Sequence, residues 1–159
     1  MAPELKRLSR EELELLNKAP LLVSILIAGA DGQIDRNEIK GAMDTAQKKA
    51  IGKSSLHLYY RDVYEDFEDK LKILVQNYPS KPEVRGEQIS SELAPLSAIF
   101  NKVEGTLAMD IYQSLKSLAL NIAKSSGGIF GLNPIGPEEA KYIELSMLKP
   151  PASKGNGEP

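Results

Sequence analysis

An all-α fold of about seven helices is predicted for this 159-residue chain, and three observations predict it. Apolar residues recur at three- and four-residue spacing, most clearly from Leu56 through Tyr60, Val63, Phe67, Leu71 and Leu74 to Tyr78. Two helix-start signals, Ser9 with Glu12 and Asp35 with Glu38, have the spacing of a capping box. No stretch of the sequence sustains the alternation of a strand.

Residues 1–8 read as a loose start from which Leu5 and Leu8 can dock, residues 9–149 as one helical domain, and residues 150–159 as a disordered tail of Pro, Gly, Ser and charge. A first short helix is expected from Arg10 to Asn17. Pro20 suits the first turn of a second, where its missing N–H is no loss. That helix is apolar on every side through Ile27, which places it at the centre of the bundle. A polar loop, 31–35, leads to a third helix ending near Ala50, with Ile39, Met43, Ala46 and Ala50 on one face. Gly52, Lys53 and Ser54 break it. The fourth helix is expected as one piece over residues 55–78, carrying Asp62, Glu65, Asp66 and Asp69 on its polar side.

The segment Pro79-Ser80-Lys81-Pro82 is a stop and turn. A fifth helix places Ile89, Leu93, Leu96, Phe100 and Val103 on one stripe, kinked by Pro95. Gly105 marks the next boundary. The sixth helix, residues 106–124, buries Leu107, Ile111, Leu115, Leu118 and Ile122; a glycine-rich loop, 125–136, follows, and Pro137 opens a seventh helix running to about Leu148.

Composition bounds the function classes. With 42% hydrophobic residues, 26% charged residues and a formal net charge of −2, the chain reads as one soluble globular domain. That balance gives no reason to expect nucleic acid as a partner, and membrane association is expected only indirectly. The absence of cysteine excludes disulfides, thiolate catalysis and cysteine-based zinc sites, and agrees with a cytoplasmic setting. Residues 19–30 are apolar enough for a signal-peptide core, but Glu4, Glu11, Glu12 and Glu14 balance Lys6, Arg7, Arg10 and Lys18 ahead of them. The run is also shorter than the roughly 20 apolar residues that span a bilayer. It reads as a buried helix.

The chain reads as two diverged copies of one helix–loop–helix unit. Ile27-Ala28 corresponds to Ile122-Ala123, Ile34 to Ile135, Asp35 to Gly136 and Glu38 to Glu139, with extra material at 128–133. An apolar helix running into Ala30-Asp31-Gly32-Gln33-Ile34-Asp35, then Glu38, resembles the tellurite-resistance TerB-like family. So does the second loop, Ser125-Ser126-Gly127-Gly128-Ile129-Phe130-Gly131 followed by Ile135-Gly136-Pro137-Glu138-Glu139. The resemblance covers residues 10–148. It implies a compact helical bundle with internal pseudo-twofold symmetry, associated with stress and tellurite-resistance systems and suspected of binding metal through acidic residues. The chain departs from the acidic pattern at Gly136, which stands where the first loop has Asp35.

Two readings of the first loop use the same residues. Asp31, Asp35 and Glu38 match the second half of an EF-hand-like loop and could hold calcium or magnesium weakly, helped by carbonyls at 28–30. Alternatively Asp35 caps the helix, Glu38 completes the box and Asp31-Gly32 makes the turn, each worth about 1 kcal/mol. The second loop suits a lid of Ile129, Phe130 and Leu132 better than a phosphate site: Pro137 lacks an amide, two glutamates follow, and no lysine stands at Walker spacing. The single His57, without cysteine, leaves no usual triad of metal or nucleophilic catalysis. The expectation is a non-enzymatic binding module with a protein partner, or a purely structural or homo-oligomer-forming helical domain without a ligand.

Overall fold

The computed structural model describes residues 1–30, 33–128, 140 and 142–152. It is all-helical, with no strand among the described residues. Six helices of eleven residues or more and one of five are described: α1 (Arg10–Ala28), α2 (Arg36–Lys49), α3 (Ser54–Tyr64), α4 (Phe67–Asn77), α5 (Pro82–Leu93), α6 (Leu96–Phe100) and α7 (Leu107–Gly128). α1 and α7 form the central pair, with α2 and α3 packed against both and α5 and α6 packed against α1.

α1 begins where the sequence indicates. Ser9 Oγ accepts the Glu12 amide at 3.1 Å, and Glu12 Oε1 accepts the Ser9 amide at 2.8 Å. The expected division into two helices around Pro20 does not occur, and α1 is one continuous 19-residue helix with Pro20 inside it. Pro20 has no N–H for the carbonyl of Leu16, a defect that normally ends a helix. Here the fully buried Tyr59 of α3 donates its hydroxyl to that carbonyl at 2.6 Å. Ser24 Oγ also donates to the Pro20 carbonyl at 2.7 Å. From Leu21 to Ala28 every side chain is buried, as the all-round apolar pattern requires.

The opposite correction applies to the expected long helix over residues 55–78. It is two helices, broken at Glu65 and Asp66, and Asp66 sits in the left-handed region at φ 55°. Tyr64 turns aside to donate to Asp44 of α2 and stacks on Phe67, with ring centroids 5.1 Å apart. In one continuous helix Asp62 would face Asp66, and Glu65 would face Asp69, at i,i+4, a repulsive spacing. The polar side of this region is therefore split between two axes. Pro95 separates α5 from α6 rather than kinking a single helix, and Gly52 and Gly105, both at positive φ, mark the boundaries after α2 and before α7.

The ends are held. Pro3–Leu5 is a short 3-10 turn with Ala2 and Leu5 buried, and Ser55 Oγ donates to Glu4 Oε2 at 2.6 Å. α7 runs to Gly128, so positions 125–128 are helical and not loop. The start of the expected seventh helix lies outside the described residues. Residues 142 and 143 are helical and 144–147 are turn, so that helix stops short of Leu148. Lys149 and Ala152 donate their amides to Ser97 Oγ and Asn101 Oδ1, at 2.9 and 3.2 Å. Of the expected tail, residues 153–159 lie outside the described residues. No described helix is long and apolar enough to cross a membrane.

Candidate functional site

The junction of α1 and α2 collects the residues that the sequence singles out. α1 ends with the Gly29 amide on the Ile25 carbonyl at 2.9 Å and no basic residue in its last turn. Its C-terminal carbonyls, the negative end of the helix dipole, thus lack a local cation. A remote one supplies the charge. Arg85 of α5 is only 6% exposed and donates Nη2 to the Gly29 carbonyl at 2.7 Å, and Nη1 to those of Pro79 and Ser80 at 3.3 and 3.2 Å.

No carboxylate among the described residues lies within ion-pair distance of Arg85, and burial lowers its pKa from the ordinary guanidinium value. Its compensation is carbonyl dipoles. Position 29 must be glycine for this approach, since a Cβ there would lie 2.5 Å from Arg85 Nη2. Among the carbonyls expected to help hold an ion, that of Gly29 is therefore occupied by a guanidinium.

On the far side of the loop, Asp35 is the N-cap of α2. Its Oδ1 accepts the amides of Asn37 at 2.9 Å and Glu38 at 3.4 Å. Glu38 stands in the first turn of α2, while Asp31 lies outside the described residues. The structure thus brings Asp35 and Glu38 to one helix start. No group of three or more Asp, Glu or His that could hold a metal gathers among the described residues.

Beside this start an open cleft of about 570 Å³ separates α2 from α4, with Phe67 and Leu71 among its lining and Asp35, Asn37, Lys40 and Glu68 as polar groups. Lys40 and Glu68 bridge it at 3.2 Å. The cleft offers hydrogen-bonding groups of both charges around an apolar patch, chemistry that fits a polar peptide surface or a weakly held ion.

The remaining candidates disperse. His57 is half-buried in the first turn of α3, its Nδ1 buried without a hydrogen-bond partner. Asp62 faces the N-terminal ammonium at 3.4 Å, so the acidic cluster is partly neutralised. Ile129, Phe130, Leu132 and Pro137 lie outside the described residues. Arg85 is the residue that sequence reasoning missed. Its one signal is a helix end with no basic residue in its last turn. No known protein family, curated protein or solved structure matches the chain.

Proposed function

We propose that this chain is a non-enzymatic interaction module of the tellurite-resistance TerB-like type, contacting a protein partner and binding calcium or magnesium weakly at Asp31, Asp35 and Glu38. The observation that carries the reading is the gathering of Asp35 and Glu38 at one helix start, on the edge of an open polar cleft. The internal repeat draws support from the central pair: α1 and α7 lie against each other, and Ile27, Ala28, Ile122 and Ala123, the residues that correspond between the two units, are all buried. Three carboxylates with one oxygen already accepting amides make a weak site, because hard divalent cations take six to eight oxygens.

A second reading, a structural or oligomer-forming domain without a ligand, is favoured by the two amides on Asp35 and the guanidinium on Gly29. An ion titration separates the two. With calcium or magnesium at tenfold above its Kd, stabilisation is about 1.4 kcal/mol, which raises Tm by about 3 to 6 °C and is lost in Asp31→Ala. No heat by calorimetry at millimolar ion, or a Tm shift that survives Asp31→Ala, selects the ligand-free domain. Turnover of any substrate that disappears in Glu38→Ala would overturn the non-enzymatic reading.

A further inference from the structure

α4 is the least anchored helix of the bundle. Of its eleven residues only Phe67 and Leu71 are buried, and Ile73 is 56% exposed. Open clefts flank it on both sides: the one of about 570 Å³ against α2, and another of about 360 Å³ against α1, lined by Lys18, Leu21, Lys70, Ile73 and Leu74 among others. The helix begins at Asp66, whose φ of 55° and ψ of 29° are left-handed and whose side chain makes no capping bond.

The local sequence encodes something different. The stripe Leu56, Tyr60, Val63, Phe67, Leu71, Leu74, Tyr78 passes through the break in register, with neither glycine nor proline from 55 to 77. Besides the like-charge pairs that a straight helix would align, the bend is held from outside by two latches from α2 on opposite sides of the joint. Asp44 accepts from Tyr64 before it, and Lys40 pairs with Glu68 after it.

We infer that the α3–α4 joint is a two-state hinge, bent in the monomer and rejoined into one continuous helix in a domain-swapped dimer of this chain. One copy cannot straighten alone while α5 stays docked on α1, where Arg85 pins it to Gly29. The same guanidinium holds the link between α4 and α5 through the carbonyls of Pro79 and Ser80, so swinging α4 into line with α3 would pull that link off Arg85. Two copies remove the conflict by exchanging everything after the hinge, so that α5 and α7 of each copy pack on α1 of the other and the same core is rebuilt.

Straightening relieves Asp66 and completes the helical hydrogen bonds across 65–66. The repulsive pairs Asp62–Asp66 and Glu65–Asp69, together with the association entropy, oppose it. This inference stands apart from the ion-binding reading.

The experiment refolds the full chain at high concentration and measures the dimer fraction by light scattering. Asp66→Ala disfavours the left-handed state, favours helix and removes one like-charge pair, whereas Asp66→Gly accepts the bend without strain. The expected dimer-to-monomer ratio is about tenfold or more higher in Asp66→Ala than in Asp66→Gly. Because the chain has no cysteine, spin labels can be placed at Arg61→Cys and Gln76→Cys, both exposed sites. In the dimer these positions should lie about 22 Å apart along one helix axis.

Equal dimer fractions in the two variants, or a dimer that keeps the monomer's label distance, would overturn the inference. If Asp66→Ala fails to fold, Lys40→Ala and Asp44→Ala release the latches without touching the hinge. Each should raise the dimer fraction, and a purely monomeric pair would sink the idea.

Discussion

Pro20 and Asp66 are the two places where helix continuity departs from local sequence, and they depart in opposite directions. At Pro20 the residue that should stop a helix does not, because Tyr59 reaches 43 positions back to occupy the orphaned Leu16 carbonyl. At Asp66 a segment with neither glycine nor proline breaks, and Asp44 and Lys40 hold the flanking turns in a bend that also separates the like-charged pairs Asp62–Asp66 and Glu65–Asp69. Continuity here is decided by where a backbone or side-chain polar group finds its partner. Propensity supplies about 1 kcal/mol per residue at most, apart from proline. A single buried carbonyl left without a donor outweighs that, at about 1 to 3 kcal/mol.

The comparison can be tested at several strengths. The largest effect should come from Arg85→Ala, which strips three carbonyls of their donor; a loss of about 3 kcal/mol in urea unfolding is expected. A loss below about 1 kcal/mol would mean that water replaces the guanidinium. Next is alkaline pH. Burial pushes the Tyr60 phenol up to about 12 from its ordinary 10, and raises Tyr59 as well, with the neighbouring Tyr60 adding to the effect. A raised phenol pKa stabilises the fold fully below pH 10 and loses that contribution as pH rises through 12. Tyr60 alone then accounts for about 2 to 3 kcal/mol. The loss should track tyrosinate absorbance.

Tyr59→Phe tests the Pro20 side directly, with an expected cost of about 2 kcal/mol. In a Pro20→Ala background the new amide can take over the Leu16 carbonyl, and the cost should fall below about 1 kcal/mol. An unchanged cost would show that Tyr59 acts by packing and not as the missing helical donor. Smallest is Asp66→Gly, which removes left-handed strain but frees the unfolded chain; a net gain of about 0.5 kcal/mol in the monomer is expected, measured at low concentration.

The same distinction explains what was legible in the sequence. The Ser9–Glu12 box, the Asp35 cap, the wholly buried run from Leu21 to Ala28 and the boundary at Gly105 are local matters, and each lies where residue patterning puts it. The fusion at Pro20, the break at Asp66 and the guanidinium on Gly29 depend on residues 43, 20 to 28 and 56 positions away, which no window along the chain can register. At the candidate site the sequence identified Asp35 and Glu38 correctly as neighbours at a helix start. It could not foresee that the opposite rim of the loop already holds a positive charge.

Arg85 also has a kinetic meaning. Its bond to Gly29 closes a loop of 56 residues, and such long closures form only after much of the intervening chain is ordered. If the clasp forms after the folding barrier, Arg85→Ala should leave the refolding rate nearly unchanged and put most of its effect into faster unfolding. The same guanidinium that neutralises the end of α1 would then act chiefly as a brake on the loss of the native state.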